Sequence, residues 1–267
     1  MLKIKYESNK KIYFASDFHL GSPNFEESLE REKKIVRWLN LIEKDAQAIF
    51  LLGDIFDFWF EYQSTVPKGF TRLLGKIASM SDNGIQIIFF TGNHDLWMKN
   101  YFVKELGVKI YHQPTELQII NSNNESTNLY LGHGDGLGPG DNGYKLLKKV
   151  FLSPISIFLF GFAHPTLGIW LATKWSGSRK KQAVAQDFYN DKEYLFQYAL
   201  ATETQKHHDI YLFGHRHLVI NMPISENSKY INLGEWFSDE NSCHYGVWSN
   251  NNFSIERFES NLGKIQP

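Results

Sequence analysis

Five short apolar runs in this chain each stop at residues that can bind a metal ion. KIYFAS leads into Asp17 and His19, AIFLLG into Asp54, and IQIIFFTG into Asn93, His94 and Asp95. NLYLG leads into His133 and Asp135, and IYLFG into His215 and His217. Apolar runs of this length bounded by glycine read as buried strands, and open α/β sheets hold their ligands at the carboxyl ends of such strands. Asp17, His19, Asp54, Asn93, His133, His215 and His217 supply carboxylate, imidazole and amide oxygen with no thiolate, a set that suits manganese, iron or zinc and not copper(I) or an iron–sulfur cluster. Seven ligands exceed one tetrahedral site but suffice for two divalent metal ions that share a carboxylate. Such a pair, about 3.5–4 Å apart, holds a hydroxide and clamps the oxygens of a phosphoryl group. Asp-x-His or Gly-Asp alone says little; the ordered set DFH, GD, GNHD, GHGD and GHRH, each closing a strand, says much more. His112, His164, His207, His208 and His244 fall outside this order and read as ordinary surface or core groups.

The elements that must carry these residues follow from periodicity. KIYFAS is the first predicted strand. A helix is predicted from about Phe25, with Val36, Leu39 and Ile42 on one face and Glu26 and Glu27 in its first turn, where acidic groups suit the helix dipole. A second helix spans roughly Gly69 to Ser81 and stops near Gly84, so two βαβ units deliver Asp54 and the GNHD turn. Short strands follow near Val108–Tyr111 and Leu117–Ile120, and GLGPGDNG reads as a glycine-rich loop beside the metals. IFDFWF places Phe56, Phe58, Trp59 and Phe60 in a loop, either as core or as an apolar wall for a substrate tail. A long helix is predicted over Gln182 to Lys206, and YINLGEW, HYGVWS and FSIERF as three strands of an antiparallel finish.

With 267 residues and 42% apolar content, the chain suits one large domain with an insert. The predicted division is a core over 1–149 and 182–267, interrupted by a helical cap over 150–181. A formal charge of −1 gives no basic field for nucleic acid, and no obligate protein partner is evident. The one cysteine, Cys243, excludes an internal disulfide and suits a reducing compartment, and MLKIKYESNKKIYF lacks the apolar stretch of a secretory signal. A cytoplasmic protein is expected. Val150 to Thr173 contains no Asp, Glu, Lys or Arg, and Lys174, Arg179, Lys180 and Lys181 follow it. Pro154, Gly161, Pro165 and Gly168 argue for two short helices rather than one continuous span. Apolar surface followed by basic charge is how a protein rests on an anionic membrane, so a lipid-facing cap, peripheral on the membrane, is expected over plain core.

The ordered set resembles the calcineurin-like metallophosphoesterases from about Lys11 to His217. That resemblance implies an α/β fold, a double-sheet sandwich flanked by helices. It also implies that Asp17, His19, Asp54 and His217 hold one metal and that Asp54, Asn93, His133 and His215 hold the other. Manganese is the metal expected first, with iron or zinc as alternatives. His94 would stabilise the attacked phosphate or protonate the leaving oxygen. Total length, GDIFDFW, HGDGLGPGDNGY and the apolar insert are most similar to the family of UDP-2,3-diacylglucosamine hydrolases. These cleave the pyrophosphate of a lipid-linked nucleotide sugar in lipid A biosynthesis, at the cytoplasmic face of the inner membrane. In that family the best-known members carry arginine where this chain has His94. The resemblance further implies substrate contacts at Asp141, Arg179 and Lys181, beside the wall of Phe58 and Trp59. The alternative expectation is a dimetal phosphodiesterase or phosphatase acting on a soluble nucleotide or another phosphoester.

Overall fold

The computed structural model describes residues 1–168, 170, 188–238 and 242–259. In chain order its strands are β1 (Leu2–Lys5), β2 (Lys11–Ala15), β3 (Ala46–Leu52), β4 (Gln86–Phe90), β5 (Lys109–Tyr111) and β6 (Thr115–Ile120). They continue with β7 (Ser126–Leu131), β8 (Ile210–Phe213), β9 (Val219–Ser225), β10 (Ser228–Leu233), β11 (His244–Ser249) and β12 (Asn252–Arg257). The helices are α1 (Phe25–Ile42), α2 (Thr71–Asp82), α3 (Tyr101–Leu106), α4 (Asn142–Phe151), α5 (Pro154–Phe162) and α6 (Tyr194–Glu203). One six-stranded sheet runs β12-β11-β2-β3-β4-β5 and the other β1-β6-β7-β8-β10-β9.

The continuous apolar runs arise because the central strands are buried on both faces. On β2 and β3, Ile12, Phe14, Ala48, Phe50 and Leu52 join the layer between the sheets. Their alternates Tyr13, Ala15, Ile49 and Leu51 lie under α1, α2 and α3. Phe14 and Phe50 stack at 5.1 Å in the inner layer, and each fully buried ring contributes roughly 1.5–3 kcal/mol. β2, β3, β4 and β5 are all parallel, so their carboxyl ends share one edge. α6 covers the other sheet through Leu195, Phe196 and Ala199.

α1 begins where expected, with the Asn24 side chain accepting from the Glu27 N–H at 2.9 Å. Its buried face is Ile35, Trp38, Leu39 and Ile42, and Val36 sits only half-buried beside it. Four expectations change. β1 and β9 are additional strands, short or polar enough at the surface to hide in the sequence. The tail is not one antiparallel group: β10 pairs with β8 and β9 in one sheet, whereas β11 and β12 extend the other. α4 starts at Asn142 and runs through the predicted boundary at 149/150. The helix predicted from Gln182 is interrupted, because residues 188–193 hold a 3₁₀ turn at Asn190–Lys192 with Asn190 at φ 51°. The regular helix starts only at Tyr194; residues 182–187 lie outside the described residues.

α4 and α5 bury none of their residues, and Ile155, Phe158, Leu159 and Phe162 are 72, 63, 64 and 74% exposed. The inner side of α5 is held by Phe160, which packs on Phe60 at 4.8 Å and stacks on Trp97 at 5.8 Å. No helix among the described residues is long and apolar enough to cross a membrane.

Candidate metal centre

Three of the five ligand-bearing turns leave their strands through a backbone conformation that non-glycine residues rarely adopt. Asp17, His19, Asp54, His215 and His217 have φ of 56, 45, 52, 71 and 53°. Strain of this kind persists only where surrounding contacts over-determine it, and it gathers at functional sites. Those contacts are present. The His19 N–H donates to Asp54 O at 2.9 Å and the Asp17 N–H to Gly53 O at 3.1 Å. The Asp95 carboxylate accepts from the N–H groups of Gly92 and Ile55 at 2.7 and 2.9 Å, so it ties the 54–56 turn to the GNHD turn. Burial and the Asp54 charge push Asp95 up to about 7. Gly92 has to be glycine, because a Cβ there would collide with Asp54 Oδ1 and lie 2.8 Å from His133 Cδ2.

These turns bring the predicted ligands together. Asp17, His19, Asp54 and His217 present ligand atoms within 4.8 Å of one another, and Asp54, His133 and His215 form a second such group. His217 Nε2 lies 3.2 Å from Asp17 Oδ1 and 3.2 Å from His19 Nε2. His19 Nε2 lies 3.6 Å, and His133 Nε2 3.3 Å, from Asp54 Oδ2. Asn93 Oδ1 is 3.3 Å from His133 Nε2, beside the second group. Asp54 stands in both.

The donor set fits divalent cations. Ligand atoms spaced 3.2–3.6 Å apart suit metal bonds of about 2.0–2.2 Å. His215 Nδ1 is buried with no hydrogen-bond partner, an atom that a cation would satisfy. Two imidazoles are held from behind: His133 Nδ1 donates to Leu52 O at 2.8 Å, and His19 Nδ1 meets Asp57 Oδ1 at 3.2 Å. Such outer contacts fix the tautomer and turn Nε2 toward a metal. Burial lowers His19 to about 4 and His215 to about 3, keeping both rings in the neutral, ligating form. Burial also works against charge on His133, but the carboxylates of Asp54, Asp17 and Asp135 overcome it and raise the ring to about 10. The carboxylates that hold a proton on His133 would equally hold a cation.

His94 stands beside this set. Its N–H donates to Asp54 Oδ1 at 2.9 Å, its Nδ1 donates to Asp57 O at 2.9 Å, and its ring centroid lies 4.7 Å from that of His19. Nδ1 is thereby engaged by the chain. Asp57, which sequence reasoning missed, reaches both His19 and His94, the latter at 3.7 Å. Its signal was its place three residues after Asp54 in GDIFD. Asp135 fastens α4 to the centre, taking Lys148 Nζ and the Tyr144 hydroxyl at 2.6 Å each. Phe237 covers one side, edge-on to His19 and His217 at 5.0 Å each.

The substrate-facing expectations fare differently. Trp59 is not part of a wall: it is fully buried, packed on Phe56 at 4.7 Å and Phe102 at 4.8 Å, because its ring serves the core under β3 and β4. Phe60 is likewise buried. Phe58 is half-buried between Trp97 and Phe160, at 6.0 and 6.4 Å. Asp141 is exposed at the start of α4, at φ 47°, and its side chain does not cap the helix. Arg179 and Lys181 lie outside the described residues. His112, His164, His207, His208 and His244 join none of the metal-binding groups found among the described residues.

Two facing sheets with this cluster at their strand ends define a metal-dependent phosphoesterase. The sequence model of the calcineurin-like phosphoesterase family matches residues 10–219, and the chain belongs to that family. A UDP-2,3-diacylglucosamine hydrolase of Porphyromonas gingivalis is 35% identical, over 93% of this chain and 98% of that protein. One from Stutzerimonas stutzeri is 27% identical over 55% of this chain and 58% of that protein. Among solved structures, a dimetal phosphatase from Danio rerio aligns with a TM-score of 0.45 at 11% identity, covering 94% of this chain and 96% of that one.

Proposed function

We propose that this protein hydrolyses the pyrophosphate of UDP-2,3-diacylglucosamine to UMP and 2,3-diacylglucosamine 1-phosphate, a step of lipid A biosynthesis. The observation that carries this reading is a relative of that name matched over 98% of its length, joined to the clustered Asp and His residues at the strand ends of both sheets. Two divalent cations, manganese foremost, would be held by Asp17, His19, Asp54 and His217 and by Asp54, Asn93, His133 and His215. Bound there, they would supply an acidified water and charge stabilisation for phosphoryl oxygens. In the reaction, water adds to one phosphorus, the P–O–P bond breaks, and the leaving oxygen keeps the electron pair. His94, with Nδ1 engaged by Asp57, presents Nε2 to stabilise that charge or to return a proton.

Around this centre, Asp141, Phe58, Arg179 and Lys181 would contact the substrate. The exposed apolar row on α5, with the exposed Lys149 at the end of α4, supports a cap that rests on an anionic lipid surface. Under this reading the protein works as a peripheral protein at the cytoplasmic face of the inner membrane. The test is incubation with UDP-2,3-diacylglucosamine and manganese. UMP release that depends on the metal is expected. Hydrolysis of soluble nucleotide diphosphates with none of the lipid substrate would favour a soluble-substrate phosphoesterase.

A further inference from the structure

A buried ion pair stands beside the metal ligands that the reaction itself does not use. Arg216 occupies the middle of His-Arg-His, between two ligands, a place where a charged side chain would ordinarily face water. It is 6% exposed, and its partner Glu193 is fully buried. The contact is a two-pronged fork: Nε donates to Oε2 at 2.7 Å and Nη2 to Oε1 at 2.8 Å. The rings of Tyr189 and Tyr194 lie 5.6 Å from the guanidinium carbon. Glu193 Oε1 also accepts the Tyr189 N–H at 3.1 Å, which fixes the chain just before α6.

The start of α6 touches both turns that supply imidazole to the group of Asp54, His133 and His215. Leu195 packs so closely on Gly134 that a Cβ there would lie 2.8 Å from Leu195 Cδ1, and Gly138 lies against the Tyr194 carbonyl. The Tyr194 ring is 6.4 Å from that of His215, and Glu193 grips Arg216. His215 and His217 both hold left-handed backbone, which a histidine turn does not keep unaided.

We infer that the Arg216–Glu193 fork is a positioning device that sets the His215 turn against the His133 turn. It thereby shapes the metal site of Asp54, Asn93, His133 and His215. The inference rests on the two-metal reading of the centre. Arginine suits the task because its planar fork fixes direction as well as distance, whereas a lysine would supply only a point charge.

The test is calorimetric titration of the metal-free full-length chain with Mn(II), alongside its melting temperature and its turnover. Arg216→Lys keeps the charge and removes the fork. Arg216→Met combined with Glu193→Leu removes both charges, so no unpaired buried charge remains to unfold the chain. Wild type is expected to bind two Mn(II). In the double variant one of the two sites should weaken by about 10–100-fold, the range for lost contacts behind a ligand, while the other site and the metal-free melting temperature hold. Arg216→Lys should fall between. Turnover should drop in kcat with KM little changed. Two Mn(II) bound to the double variant with wild-type affinity would overturn the inference. So would equal weakening of both sites together with a fall in melting temperature, which marks a merely structural pair. Fewer than two Mn(II) on wild type would overturn the two-metal reading and the inference with it.

Discussion

At the strand ends polar groups are buried, and on the cap apolar groups are exposed. Asp17, His19, Asp54, Asp95 and His133 are almost wholly withdrawn from water. Ile155, Phe158, Leu159 and Phe162 on α5 are each more than three-fifths exposed. The first arrangement is stable because backbone N–H groups, carbonyls and opposed charges satisfy the buried polar atoms, at a centre built for cations. The second leaves apolar area that the described part of the chain does not cover. Changing a charge should therefore be severe at the centre and mild on the cap, and changing an apolar group should matter on the cap only for lipid.

The largest expected effect is at Asp54. Asp54→Asn removes the charge that both ligand groups share, and turnover should fall at least about 100-fold, as when a key electrostatic group is lost. Near-normal turnover would break the assignment of Asp54 as the shared ligand.

A smaller effect is expected beside the ligands. His94→Ala should keep both metals, read by elemental analysis, while kcat falls by about 10²–10⁴-fold if the ring moves a proton. Asp57→Asn should do less, near 10–100-fold, because Asp57 orients His19 and His94 without reaching the substrate. Loss of one metal from His94→Ala would make His94 a ligand and redraw the centre.

The smallest effect on the fold belongs to the cap. Leu159→Glu and Phe162→Glu place charge on exposed positions, where substitutions cost within about 0.5 kcal/mol, so the melting temperature should move by under about 2 °C. Under the proposed function, KM for a long-chain lipid substrate should rise while a small chromogenic phosphodiester is turned over as before. A fall of several degrees, with both substrates affected alike, would erase the contrast between the two regions.

The turns that bring the Asp and His residues together were legible in the sequence because each motif sits at a local feature, the end of an apolar run, and parallel pairing within each sheet aligns those ends. Asp57 was less legible: GDIFD shows a second carboxylate, but only the folded turn shows it reaching His19 and His94. Glu193 gave no signal, since its partner lies 23 residues away. Trp59 was misplaced as a wall residue because an aromatic in a loop reads the same whether it lines a cleft or fills the space beneath α3. The break before α6 was also hidden, because the turn at 190–193 is held by Arg216 from a distant strand end.

The sequence by itself determined the ligand chemistry, the strand ends that carry it and the family, since residue type and local periodicity set all three. Only the tertiary structure decided which tail strands joined which sheet, which aromatic rings were core and which second carboxylate steadied His19. Those outcomes depend on partners far apart in the chain, whose burial and hydrogen bonds exist only once both sheets and the helices around them have packed.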